Sequence, residues 1–189
     1  YWYAGKVEQA RALCEQALEL CHRHRLTIPR MQCLWRLALI ALWMGDLDRA
    51  ENAARMVLQN DDRIEDQGVL TYPTAILALV ASARGDHAAA IQLAAQTIEH
   101  AKSHQMRTDQ AWGYFCAGTV HFRAQDLPTA GRFLAQALEF ARGYFPLELA
   151  VSARLAALHL QLEEPEAARQ HLAHAIEIAR TKLLEYPLL

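Results

Sequence analysis

The sequence has little of what most functional classes require. Its 19 lysines and arginines against 21 aspartates and glutamates leave a net charge of −2. Such a balance offers no global field to gather nucleic-acid backbone or an anionic bilayer, so neither is expected as a direct partner. The eight glycines are scattered singly, which excludes a Gly-rich phosphate loop. No serine or cysteine stands in a nucleophile-elbow context. Four cysteines, Cys14, Cys21, Cys33 and Cys116, follow no metal or redox spacing and read as buried thiols of a reducing cytosol. No apolar run reaches the roughly 18 residues of a membrane span. Leu37 to Met44 is apolar but short, closed off by Arg36 and Asp46.

What the chain does have is a repeating corner. Gly45-Asp46-Leu47-Asp48-Arg49-Ala50 places a turn residue five positions before a small one. The same pairing recurs as Gly5 with Ala10, Gly85 with Ala90, Gln125 with Ala130 and Glu163 with Ala168. The first four corners are 40 residues apart and the last follows after 38. That period marks a solenoid of helix pairs, in which no unit buries its apolar face alone.

The residues around each corner support the same reading. Glycine tolerates the left-handed backbone that ends a helix. Asp46, Asp86 and Asp126 are placed to cap the helix that follows, and Pro128 and Pro165 fall in first turns. The corners at Gln125 and Glu163 lack glycine and should close less comfortably. After each corner the small and apolar residues keep helical spacing, as in Leu47, Ala50, Ala54, Val57 and Leu58. Seven and eight residues before the corners stand Leu37-Ala38, Leu77-Ala78, Ala117-Gly118 and Leu155-Ala156, which suits a close crossing of paired helices. Asn60 to Gln67 is the most polar stretch and reads as a loop, with helix resuming near Thr71. No segment alternates long enough to argue for a strand.

The pattern of Leu-small, then Gly-Asp-x-x-x-Ala, then Ala-Leu resembles the tetratricopeptide repeat (TPR) over nearly the whole chain. A 40-residue period, and Ala-Leu-Glu-Leu-Cys-His-Arg-His at 17–24, resemble its long-helix variety. That variety occurs in maltose-regulator-like and LuxR-type bacterial regulators and in signalling ATPases. Ala41 and Ala81 stand where bulkier residues are expected. The resemblance implies an all-α, right-handed superhelix of antiparallel pairs. Its units divide as 1–24 (a partial repeat), 25–64, 65–104, 105–143 and 144–184, with 185–189 starting a further helix. Tyr1 to Ala4 reads as the tail of a helix and Tyr186 to Leu189 as the start of another, so the expectation is a piece of a longer array.

Candidate chemistry is sparse. His100 with His104, His171 with His174, and Cys21 with His22 and His24 are close in sequence, but none has a convincing set of four ligands nearby. His121 and His159 hold equivalent positions four before their corners and read as packing residues. Glu163-Glu164 and Asp61-Asp62 read as solvated. No cofactor, metal or catalytic role is expected.

The aromatics are more informative. Counted back from their corners, Trp2, Tyr3, Trp35, Leu39, Trp43, Tyr72, Trp112, Phe115, Thr119, Phe122 and Arg123 take offsets of two, three, six, ten and thirteen. These fall on one side of each pair's first helix, away from the Leu-small crossing. In tetratricopeptide repeats that side lines the concave surface, so the resemblance puts all four tryptophans in the groove, with Gln32, Ser82, Thr119, Arg123 and Gln161 as wet neighbours. The alternative is that the stripe is core. The expected function is a non-catalytic, cytoplasmic scaffold or sensor in a larger regulator, binding a protein or peptide there. A small-molecule inducer in the same groove, or self-association, are the other readings.

Overall fold

The helices of this chain meet at short corners, and nearly all of the described corners share one backbone device. A residue in the left-handed conformation ends the helix at Gly45 (φ 79°), Gly85 (84°) and Gly143 (85°), and also at Arg25 (54°), Gln105 (57°), Gln125 (64°) and Glu163 (60°). At five of them the amide beyond the turn bonds back to the last helical turn. Asp46 N–H donates to Ala41 C=O at 2.9 Å, and Asp86, Asp126, Glu164 and Leu26 do the equivalent. That pairing satisfies carbonyls the helix end would orphan. The two corners without glycine therefore use the same geometry as those with it. Arg25, in a stretch whose sequence (Arg25 to Pro29) already reads as a turn, and Gln105, at the start of the unit 105–143, carry it without glycine.

The computed structural model describes residues 7–59 and 67–185, with side chains from 69 to 181 in the second segment. Its α-helices are α1 (Val7–Arg23), α2 (Thr27–Trp43), α3 (Leu47–Leu58), α4 (Thr71–Ala83), α5 (His87–His104), α6 (Arg107–Arg123), α7 (Leu127–Ala141), α8 (Phe145–Gln161) and α9 (Pro165–Glu185). A 3-10 turn at Gln67–Leu70 leads into α4, so helix resumes at Thr71 as its sequence suggests. Among the described residues there is no strand. The expected corner at Gly5, most of the polar loop and the terminal half-helices lie outside the described residues.

The caps form as their chemistry dictates. The N–H of Arg49 donates to Asp46 at 3.1 Å, that of Ala89 to Asp86 at 3.0 Å, and that of Thr129 to Asp126 at 3.3 Å. Behind each corner the small residue is sealed in: Ala50, Ala90 and Ala130 are fully buried, and Ala10 and Ala168 nearly so. The crossing expected at Ala117-Gly118 is real and tight. A Cβ on Gly118 would lie 2.7 Å from the Leu134 side chain of α7, so only glycine lets α6 and α7 approach this closely.

The helices sort into two layers. α2 contacts α4, α4 contacts α6, and α6 contacts α8, whereas the odd-numbered helices do not pack on one another to a like extent. Helices that meet their next-but-one neighbour lie on the inside of a curve, so the even-numbered set lines the concave side of an all-α superhelix. Its core is continuous, joining Leu39, Ile76, Val80, Trp112, Leu134, Val151 and Leu158 across successive pairs.

Candidate functional site

The concave layer carries a row of touching aromatic rings. Trp35 of α2 stacks on Tyr72 of α4 with centroids 4.3 Å apart and planes 14° apart. Tyr72 meets Trp112 of α6 edge-on at 6.0 Å, and Trp112 meets Phe115 edge-on at 5.8 Å. These offset and edge contacts are the arrangements that aromatic quadrupoles favour. One ring from each of three successive inner helices is therefore locked to the next.

Polar groups fix this row. The Tyr72 hydroxyl donates to Oδ1 of Asp109 at 2.8 Å, and Nδ1 of His104 contacts Oδ2 of the same carboxylate. Asp109 is 3% exposed, so a buried carboxyl ties α4, α5 and α6 together beneath the rings. Burial, then the Asp109 charge, pushes the Tyr72 phenol well above its usual range, which leaves it a donor at any ordinary pH.

The concave residues fall into three environments. Trp43 and Arg123 are exposed; Trp35, Tyr72, Phe115 and Phe122 are half-buried; Leu39, Trp112 and Thr119 are buried. Trp2 and Tyr3 lie outside the described residues. Of the expected wet neighbours, Gln32 and Gln161 are exposed, whereas Ser82 is 4% and Thr119 3% exposed. The last two correct the expectation of an open polar surface there, because α4, which carries Ser82, sits between α2 and α6, and α6, which carries Thr119, sits between α4 and α8.

Beside the row is a recess of about 140 Å³ lined by Cys14, Trp35, Arg36, Leu39, Trp112 and Tyr144, among others. The Arg36 guanidinium lies 4.4 Å from the Trp35 ring centre, a cation–π contact. Further along, Arg154 of α8 covers the Phe122 ring at 5.3 Å. Sequence spacing did not single out Arg36, Asp109, Tyr144 or Arg154. Arg154 alone had a legible signal, as the one arginine within α8.

Charge is segregated between the layers. The four concave helices carry Arg30, Arg36, Arg107, Arg123 and Arg154 against only Asp109 and Glu148. Asp109 is engaged as above; Glu148 accepts from Gly143 N–H at 3.0 Å and lies 3.1 Å from His174. On the outer helices and corners, by contrast, cations meet carboxylates, as in Arg55 with Glu51, Lys102 with Glu99 and Arg169 with Glu166.

His121, His159 and His171 serve corner and packing geometry. Nδ1 of His121 lies 3.0 Å from Asp126, and that of His159 2.7 Å from Glu164, each bridging its corner. His171 stacks on His159 at 5.2 Å. Among the described residues no three His, Cys, Asp or Glu side chains are grouped to hold a metal ion. Cys21 and Cys116 are buried, while Cys14 and Cys33 are only half-buried, which departs from the expectation of four buried thiols.

No protein-family model matches the chain, and no curated protein sequence does. Solved structures do match in fold. The crystal structure of Podosopora anserina kinesin light chain nearly identical TPR-like repeats superposes with TM-score 0.57 at 16% identity, covering 98% of this chain and 91% of that one. MamA 41-end from Desulfovibrio magneticus RS-1 gives TM-score 0.56 at 14% identity, covering 91% and 96%. BtubC (BKLC) from P. vanneervenii gives 0.55 at 14%, covering 97% and 94%. The fold is that of a tetratricopeptide-like helical-repeat superhelix. No helix among the described residues is long and apolar enough to cross a membrane.

Proposed function

We propose that this chain is a non-catalytic docking array that holds an extended protein segment along the concave face of α2, α4, α6 and α8. The observation that carries the reading is the aromatic row, bordered by the exposed Trp43 and by arginines. Interfaces concentrate their binding energy in such rings and in arginine. An extended ligand crossing three inner helices would touch several units in turn. On this reading the units run 25–64, 65–104, 105–143 and 144–184. The array then belongs to the long-helix variety and serves a larger cytoplasmic regulator as its sensor or scaffold part.

The test is selection from a random peptide display library, followed by affinity measurements on the enriched peptides. Trp43→Ala and Phe122→Ala are each expected to weaken binding by tenfold or more, roughly the loss of a hot-spot residue. Leu172→Ala, on the exposed outer side of α9, is expected to leave binding unchanged. The opposite pattern would move the docking face to the outer helices and sink the proposal.

The recess between Trp35 and Trp112 favours a second reading, a small planar molecule held against Trp35 and Arg36. Such a ligand would be sensitive to Arg36→Ala and insensitive to Phe122→Ala, which separates the two.

A further inference from the structure

The recess beside the aromatic row joins aromatic rings to a single charge. Trp35, Trp112 and Tyr144 supply the rings, Leu39 and Ile40 apolar side chains, and Arg36 a guanidinium. Among the described residues no aspartate or glutamate lines it. Glu15, next to the lining residue Cys14 on α1, lines a separate recess with Arg11. Arg36 gives one N–H to the Gln32 carbonyl at 2.8 Å and lies 4.4 Å from the Trp35 ring centre. Trp35 is itself fixed by its stack on Tyr72 at 4.3 Å. An arginine carries five N–H donors in a planar fork, so Arg36 has donors left to offer while the rings set its position. A preorganised guanidinium with no acid beside it is suited to an incoming anion.

Size and shape narrow the anion. The recess measures about 140 Å³, and a protein cavity of about 150 Å³ takes up one benzene. A single ring therefore fits and a fused pair does not. Aromatic walls favour another aromatic ring through edge and offset contacts, which a saturated ring lacks. One guanidinium fork matches one carboxylate and balances its single charge, whereas a phosphate near neutral pH carries close to two. We propose that this recess binds a free monocyclic aromatic carboxylate of the benzoate class, its ring among Trp35, Trp112 and Tyr144 and its carboxylate on Arg36. The inference rests on the reading of the recess as a small-molecule site and names the class of molecule.

The experiment titrates the full chain at neutral pH with benzoate, benzamide, cyclohexanecarboxylate and acetyl-Gly-Phe bearing a free carboxylate, followed by ligand-observed NMR. Benzoate is expected to bind at least about tenfold more tightly than benzamide, which has the ring without the charge. It should exceed cyclohexanecarboxylate several-fold, since that acid has the charge without the flat ring. Alkylation of the thiols, read residue by residue by mass spectrometry, locates the ligand. Bound benzoate should slow modification of Cys14, which lines the recess, and leave Cys33, also half-buried but outside the lining, unchanged.

Arg36 is exposed, so Arg36→Gln should fold as the unaltered chain does and abolish the preference for benzoate over benzamide. Arg36→Lys keeps the charge but not the fork and should retain only part of that preference. Benzamide binding as tightly as benzoate, with Cys14 protected, overturns the carboxylate and leaves a small-molecule recess standing. Benzoate binding that survives Arg36→Gln undiminished, or that leaves Cys14 unprotected, overturns the site. Tighter binding of acetyl-Gly-Phe than of benzoate would make the occupant a peptide terminus and overturn the free acid. If none of the four binds, the proposal falls together with the small-molecule reading, and the docking of an extended segment is untouched.

Discussion

The Tyr72 hydroxyl donates a 2.8 Å hydrogen bond to the Asp109 carboxyl, crossing from α4 to α6 beneath the concave rings. Asp109 is almost wholly removed from water, so its oxygens depend on protein donors. Tyr72→Phe keeps the ring that stacks on Trp35 and deletes only the donor. The expected loss is about 1–3 kcal/mol, the usual result of leaving a buried acceptor short of a partner. Denaturant unfolding with an unchanged m-value would check it, and a loss under about half a kcal/mol would mean that water replaces the phenol.

Trp112 and Trp43 should separate cleanly on truncation. Trp112 is 8% exposed and belongs to the main core, whereas Trp43 is 50% exposed. Trp112→Ala is expected to cost about 3–5 kcal/mol of folding stability. Trp43→Ala should cost about 1 kcal/mol or less, as surface substitutions do. Comparable melting-temperature losses would contradict the assignment of Trp112 to the core and Trp43 to the surface.

The corners offer a paired experiment. Gln125 holds φ 64° where a side chain is strained, and Gly85 holds φ 84°. Gln125→Gly should stabilise by about 0.5–1 kcal/mol, after the added freedom of the unfolded chain is deducted from the relief. Gly85→Ala should destabilise by about 1–2 kcal/mol, although a Cβ there meets nothing within 4 Å. Chemical denaturation of the two variants measures both changes. The sign difference isolates backbone conformation from packing.

Mild acid should loosen the last pair. Burial, then the charges of His159 and His174, hold the His171 imidazole below its ordinary value. Around it stand the stacked His159 with Glu164, His174 with Glu148, and Arg132, Glu139 and Arg142 across the outer groove. A depressed folded value means that the unfolded chain takes up the proton first. Stability is therefore intact above the ordinary imidazole value near 6.5 and falls as pH drops through it. His171→Gln should flatten the decline in melting temperature between pH 7.5 and 5.5, and an unaltered slope would assign it to other groups.

The backbone plan was legible because corners have few chemical solutions. A turn residue, an aspartate after it and an alanine five positions on report the end of one helix, the cap of the next and the point of closest approach. Gly118 was legible for the same reason, since the crossing at Leu134 leaves no space for a Cβ. The left-handed backbone at Arg25 and Gln105 was not, although both open units of the array, because an ordinary side chain can be driven left-handed by the helices on either side. The concave surface was only partly readable. A helical offset reports which way a side chain points, not what lies over it. Ser82 shares its offset with the exposed Leu160 yet is covered by neighbouring inner helices. Asp109 carried no signal at all, since its role depends on Tyr72, thirty-seven residues earlier.

The recess beside Trp35 has walls from distant parts of the chain: Cys14 of α1, Trp112 of α6 and Tyr144 at the entrance to α8. In an open solenoid each unit senses only the next, and unfolding creeps inward from whichever end frays first. Here the curl brings an early helix and a late turn to the same small chamber, so the array has a clasp as well as a zip. Fraying at α1 strips a wall from Tyr144, and loosening at α8 strips one from Cys14. Amide exchange in α1 and at the entrance to α8 should then rise and fall together, and whatever fills the chamber would latch the coil shut.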